Sequence, residues 1–161
     1  MATANKNLSE YDKSRLPSAF SFRFALVRAQ WNDQVTSGLY KGAYDTLIDL
    51  GAKPENIVTI EVPGSMELIY GCRQAAAIEP KVDAIIAIGC LVKGETMHFE
   101  FVSMAVYHGL SQLNLTLQVP VIACVLTDNN IEQSLARSGG VHGNKGVEAA
   151  VTALLMCGRK V

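Results

Sequence analysis

The sequence predicts an α/β fold: a parallel four-stranded sheet with helices on both faces. Two observations carry this. Short apolar runs alternate along the chain with segments whose apolar residues recur at helical spacing. One run, Ala84-Ile85-Ile86-Ala87-Ile88, is apolar at every position, as a strand covered on both faces must be. Strands that alternate with helices form parallel sheets, wound by right-handed crossovers.

Each element has its own signal. Residues 1 to 20 are polar, mixed in charge, and read as a flexible arm ending near Pro17; residues 21–161 form one domain. Phe22 to Val27 reads as the first strand. Val35 to Leu50 follows as a helix that buries Leu39, Ala43, Leu47 and Leu50 and stops at Gly51. Asn56 to Val62 is the second strand, closed by Pro63-Gly64. Ser65 is read as the N-cap of a second helix, with Leu68, Ile69, Cys72 and Ala76 turned inward. A long helix from about Thr96 to Leu115 follows the third strand, burying Phe99, Val102, Val106 and Leu113. Val119 to Leu126 is the fourth strand, and Asn130 to Arg137 a short helix. The last helix starts at Asn144 and carries an apolar stripe of Val147, Ala150, Val151, Leu154 and Leu155.

Composition narrows the function. With 161 residues and a formal net charge of −1, nothing favours nucleic acid or an anionic membrane. No apolar segment in the N-terminal region suits secretion or membrane insertion, so the expected compartment is the cytoplasm. Charged residues are only 18% of the chain, against about 25% in a typical soluble domain. Such a thin charged shell implies surface hidden in an oligomer. Cys72, Cys90, Cys124 and Cys157 form no CxxC pair, and His98, His108 and His142 lack metal-binding spacing, so no metal is expected. Cys90 and Cys124 lie in apolar runs and read as reduced core residues.

Ligands of parallel sheets bind at the carboxyl ends of strands. The informative segments are therefore Arg28 to Asp33, Val62 to Glu67, Gly89 to Glu100 and Thr127 to Asn130. Gly89 through Thr96 has the glycine spacing of a nucleotide-binding loop, GxxxxGK[ST]. Glu95 stands where the lysine belongs, and a carboxylate there repels a triphosphate. The backbone logic survives: Gly94, with the N–H groups of Glu95 and Thr96 and the Thr96 hydroxyl, suits a single phosphate. His98, in the first turn of the following helix, is favoured as a neutral imidazole able to take and return a proton; a capping or packing histidine is the competing reading. Arg137 is either a surface arginine or a bidentate phosphate clamp. Trp31, the one tryptophan, is either core or a stacking surface for an aromatic ring. Ser65, Met66 and Glu67 open the second helix and offer polar contacts, though Glu67 equally suits a plain helix start.

These segments, taken in order, resemble the lumazine synthases. The likeness rests on Ala29-Gln30-Trp31-Asn32, on Val62 to Glu67, on Gly89 to Glu100, on Pro120-Val121-Ile122 with Val125-Leu126-Thr127, and on Gly143-Asn144-Lys145-Gly146 running into Val147-Glu148-Ala149-Ala150. The resemblance implies a flavodoxin-like three-layer sandwich. It also implies condensation of 5-amino-6-(D-ribitylamino)uracil with 3,4-dihydroxy-2-butanone 4-phosphate to 6,7-dimethyl-8-ribityllumazine, phosphate and water, with no cofactor and no metal. By the same resemblance, Trp31 stacks on the pyrimidine, and Ser65, Met66 and Glu67 hold the ribityl chain. Cys90, Leu91, Val92 and Ala123 line the ring pocket. Glu95, Thr96, Arg137 and Lys145 hold phosphate, with Glu148 in support, and His98 moves protons. Many members carry phenylalanine where Ala123 stands, and an aromatic residue where Met66 stands. The implied partners are small-molecule substrates and further copies of the chain, as pentamers closed into an icosahedral 60-mer, with each site shared between neighbours. No insertion interrupts Arg137 to Asn144, which favours the shell. The rival readings are a non-catalytic flavin- or lumazine-binding protein of the same fold, and a shell protein without activity.

Overall fold

The computed structural model describes residues 7–157. Four parallel strands, β1 (Phe24–Ala29), β2 (Ile57–Val62), β3 (Ala84–Val92) and β4 (Val121–Asp128), lie in the order β2-β1-β3-β4. The helices are α1 (Asp33–Asp49), α2 (Leu68–Ala75), α3 (His98–Thr116), α4 (Ile131–Arg137) and α5 (Lys145–Cys157). Alternate residues of the two central strands feed opposite cores. Phe24, Leu26, Ile86 and Ile88 pack with Leu39, Leu47 and Leu154 of α1 and α5. Ala25, Val27, Ile85 and Ala87 pack with Leu68, Cys72, Val106 and Leu110 of α2 and α3. The predicted parallel sheet with helices on both faces is the fold observed.

Several element boundaries differ from the sequence reading. The first and fourth strands each begin two residues later than predicted and end two residues later. β3 runs on through Gly89, Cys90, Leu91 and Val92, which the spacing had placed in a turn. Gly89 is needed there for close packing: a Cβ would lie 2.8 Å from both Leu68 Cδ1 and Ser65 Oγ. The second helix starts at Leu68, so Ser65 is not its cap, and the third starts at His98. The stripe on α5 is rotated: Ala149, Ala150, Ala153 and Leu154 are buried, Val147 and Val151 line a surface cavity, and Leu155 is exposed. An unpredicted hairpin, β5 (Ser138–Gly140) with β6 (Gly143–Asn144), joins α4 to α5.

That hairpin fits because α1 meets it without side chains. A Cβ on Gly42 would lie 2.4 Å from the Asn144 side chain, and one on Gly146 would lie 1.9 Å from the Leu39 carbonyl oxygen. Asn144 fills the seam with hydrogen bonds: its Nδ2 donates to the Gly38 and Ser138 carbonyls, and its Oδ1 accepts from the Gly146 N–H.

Residues 1–6 of the expected arm lie outside the described residues. From Asn7 onward the arm contacts the domain. Leu8 N–H donates to the His142 carbonyl at 3.0 Å, and Ser9 Oγ accepts from Asn144 N–H at 2.9 Å. Tyr11 and Lys13 both bind the Asp49 carboxylate, at 2.8 and 2.9 Å. Those two partners hold the Asp49 pKa below its ordinary value, Lys13 more than Tyr11.

The carboxyl edge of the sheet is stepped. β1 pairs with β2 to Ala29↔Val62, but with β3 only to Arg28↔Ile88. β3 continues against β4 to Val92↔Asp128. The flank of Gly89–Val92 that faces β1 therefore has no strand beside it. α1 and α2, which follow β1 and β2, pack on opposite faces, so a crevice opens between the ends of β1 and β3, where parallel sheets bind ligands.

Candidate functional site

Two turns, those after β1 and β2, are tied to that crevice by the backbone of β3, and the turn that follows β3 continues from it. Asn32 has φ +58°, the left-handed region that asparagine tolerates better than most residues. There its Nδ2 donates to the Cys90 carbonyl at 2.9 Å. Ser65, 4% exposed, aims its hydroxyl at the same carbonyl from the β2 turn, at 3.4 Å. An oxygen that would otherwise lack a partner beyond the end of β1 thus joins all three strand ends.

Trp31 is not core: it is 69% exposed. Its N–H donates to the Pro63 carbonyl at 3.0 Å, and its ring packs on Gly64, where a Cβ would lie 2.7 Å from Trp31 Cε3. The Glu67 carboxylate sits against the same glycine, its Oε2 lying 3.0 Å from the position of that Cβ. An exposed indole with one face supported is a platform for a flat ring. Met66 and Glu67 are exposed beside it. Below the crevice Cys90 is buried, with its thiol pKa raised by burial; Leu91 and Val92 are half-buried.

The turn from Lys93 to Met97 is exposed and contains free donors. Among the described residues, nothing accepts from the N–H groups of Gly94, Glu95, Thr96 or Met97. A Cβ on Gly94 would meet nothing within 4 Å, so this stretch faces open space. Thr96 Oγ1 accepts the His98 N–H at 3.3 Å, fixing the start of α3. The turn is braced at both ends. Lys93 N–H donates to the Asp128 carbonyl at 2.9 Å, and Lys93 Nζ pairs with Glu100 at 3.2 Å. Successive unpaired amides suit an anion. They precede the helix instead of opening it, which corrects the sequence reading. His98 heads α3 with its side chain exposed.

The remaining residues lie elsewhere in the chain. Ala123 sits in β4 opposite Ala87, two residues below the level of Gly89 where the crevice begins, and β3 lies between it and the crevice. It lines a cavity of about 610 Å³ with Val121, Lys145, Glu148 and the arm residues Asn7 and Leu8. Lys145 and Glu148 pair there. Arg137 is half-buried at the end of α4, its Nη1 donating to the Gln133 carbonyl at 2.9 Å; no hydrogen bond joins it to the Lys93–Met97 turn. Within one chain, then, Trp31, Ser65, Glu67, Cys90, Thr96 and His98 form one group, while Ala123 and Lys145 form another.

Sequence reasoning assigned no role to Asn32, Asp128 or Ser134. Asn32 carried a local signal, being an asparagine between a strand and a helix. The other two carried none: their mutual bond depends on how α4 turns back on the end of β4, and their further partners, Cys90 and Lys93, are distant in sequence. Among the described residues no three His, Cys, Asp or Glu side chains gather as a metal site, and no helix is long and apolar enough to cross a membrane.

Comparison with known proteins bears on this geometry. A family model described as 6,7-dimethyl-8-ribityllumazine synthase matches residues 21–160. Proteins of that name from Flavobacterium johnsoniae and Christiangramia forsetii are each 54% identical over 156 residues. The match covers 97% of this chain and 82% and 93% of theirs. One from Cytophaga hutchinsonii is 45% identical over 161 residues, the full length of both.

Proposed function

We propose that this chain, which belongs to the 6,7-dimethyl-8-ribityllumazine synthase family, binds its pyrimidine substrate in the crevice between β1 and β3. The chain performs the penultimate step of riboflavin biosynthesis. It condenses 5-amino-6-(D-ribitylamino)uracil with 3,4-dihydroxy-2-butanone 4-phosphate and releases phosphate and water. A non-catalytic flavin- or lumazine-binding protein is not favoured, since proteins named as the synthase match nearly the whole chain.

The observation that carries the site is the convergence of two turns, through Asn32 and Ser65, on the Cys90 carbonyl beside the exposed Trp31 platform. The pyrimidine stacks on Trp31. Ser65, Met66 and Glu67 receive the ribityl chain, and Cys90, Leu91 and Val92 supply a wall. The free amides from Gly94 to Met97, Glu95 and Thr96 among them, hold the phosphate of the second substrate. Glu95 takes part through its N–H, not its carboxylate, which would repel the phosphate. His98, one residue beyond those amides, moves protons as the amine adds to the ketone, as phosphate leaves and as the second ring closes. Most of the acceleration comes from holding the two substrates together.

Ala123, Lys145 and Arg137 complete the site from a neighbouring copy. Two observations support this sharing. Ala123 lies below its own crevice and on the far side of β3 from it, and α3 leaves Phe101, Met104 and Leu115 exposed on a single side. An apolar stripe of that kind asks for covering. We assign the assembly as a pentamer closed into an icosahedral shell. Four cysteines free of disulfides suit the reducing cytoplasm.

Co-expression tests the shared site. His98→Ala and Arg137→Ala chains are each impaired alone. In random mixtures about a quarter of shared sites pair an intact His98 with an intact Arg137. Activity should recover to that level, measured by lumazine absorbance. Mixtures no better than the average of the two variants would remove the sharing.

A further inference from the structure

We propose that Ser134 and Asp128 are positioning residues for phosphate binding, fixing α4 so that Arg137 is held where the phosphate needs it. This rests on the reading that Arg137 meets phosphate. The helix α4 has seven residues, too few to be stable by itself, so its orientation must come from what it packs against. Its one fully buried residue is polar. Ser134, 0% exposed, donates from Oγ to Asp128 Oδ2 at 2.7 Å and accepts from the Cys90 thiol at 3.4 Å.

An apolar contact lets a short helix slide or roll; a hydroxyl bonded to a carboxylate has one good geometry. Arg137 follows Ser134 by three residues, about one turn, so any roll of the helix at Ser134 swings the guanidinium. The Cys90 thiol stays protonated because burial raises its pKa, and it remains a donor into the chain of bonds.

Asp128 also acts through its backbone. Its carbonyl accepts the Lys93 N–H, at the start of the turn with the free amides. One residue therefore braces both the amide turn, through its main chain, and the guanidinium helix, through its side chain. In a ring of copies the turn serves one site and α4 the next, and Asp128 is the joint between them.

Calorimetric titration of the assembled protein with inorganic phosphate tests this, alongside quenching of Trp31 by riboflavin. Ser134→Ala and Asp128→Ala should each weaken phosphate binding about tenfold and raise the KM for the butanone phosphate. Riboflavin quenching should be unchanged. Ser134→Thr and Asp128→Asn, which keep a hydroxyl donor and an oxygen acceptor, should recover most of the affinity. Wild-type phosphate affinity in both alanine variants, with Arg137→Ala impaired, overturns the proposal. Wild-type affinity in Arg137→Ala itself overturns the reading of Arg137 beneath it. Equal loss of riboflavin and phosphate binding would mean a merely structural role and also overturns it. Should Ser134→Ala fail to assemble, the Asp128→Ala and Asp128→Asn pair decides alone.

Discussion

Gly64→Ala isolates the stacking platform from the chemistry. The added methyl would lie 2.7 Å from Trp31 Cε3 and 2.9 Å from Cζ3. Carbon atoms pack at about 3.5 to 4.0 Å, so the ring must retreat by about 0.8 Å or more. The φ of Gly64 is not positive, so alanine meets no backbone strain there. Trp31 is 69% exposed and free to swing outward, which keeps the cost to folding small, within about 0.5 kcal/mol. The cost to catalysis is larger, because a misplacement of about 1 Å in a positioning group lowers rates by as much as a hundredfold. We expect kcat/KM to fall about ten- to a hundredfold, with thermal unfolding shifted by no more than about 2 °C. The assays are lumazine formation with both substrates and a melt of the assembled protein. Full activity at an unchanged melting temperature would mean that the indole is not the pyrimidine platform.

Four further outcomes follow from the same structure. His98→Ala should lower kcat about ten- to a hundredfold with KM little changed, and an unchanged kcat would make it a bystander. Riboflavin or the lumazine product should quench Trp31 emission saturably; a response no larger than inner-filter absorption removes the stacking role. Sedimentation at micromolar concentration should show shells, whereas pentamers alone would refute closure and an active monomer the shared site. Asp49→Asn should speed proteolysis of the arm between Asn7 and Ser18. Because the folded Asp49 pKa is lowered, its contribution is present above the unfolded value of about 3.8 and is lost as pH falls through the folded one. Acid should therefore release the arm as the variant does, and equal cleavage of variant and wild type at neutral pH would contradict this.

The strands and helices were legible because their signals are local. Leu39, Ala43, Leu47 and Leu50 are buried as their spacing predicts. Errors arose where a residue answers to a distant partner. Ser65 looks like a helix cap, but its hydroxyl is claimed by Cys90, 25 residues away. Gly89 looks like a turn glycine; it is a strand residue without a side chain because Leu68 and Ser65 need the space. The Ser138 to Asn144 hairpin depends on the bare surface of α1, which no window around it reveals. The candidate site was legible in its residue types and in its position at strand ends. Its division into two groups within one chain follows from the register of β4, which sequence pattern does not report.

The seam between α1 and α5 changes how a mutational scan of this protein should be interpreted. Gly42, Asn144 and Gly146 would all score as intolerant, and the place of Asn144 and Gly146 in Gly143-Asn144-Lys145-Gly146 beside Lys145 would make those two look like reagents in the reaction. Yet a methyl group on Gly146 would fall 1.9 Å from a backbone oxygen, a collision that no side-chain adjustment relieves. Inactivity at these positions reports lost architecture. Of the four residues in that motif only Lys145 has a side chain facing the cavity, and sensitivity there is the part of the signal to credit to function.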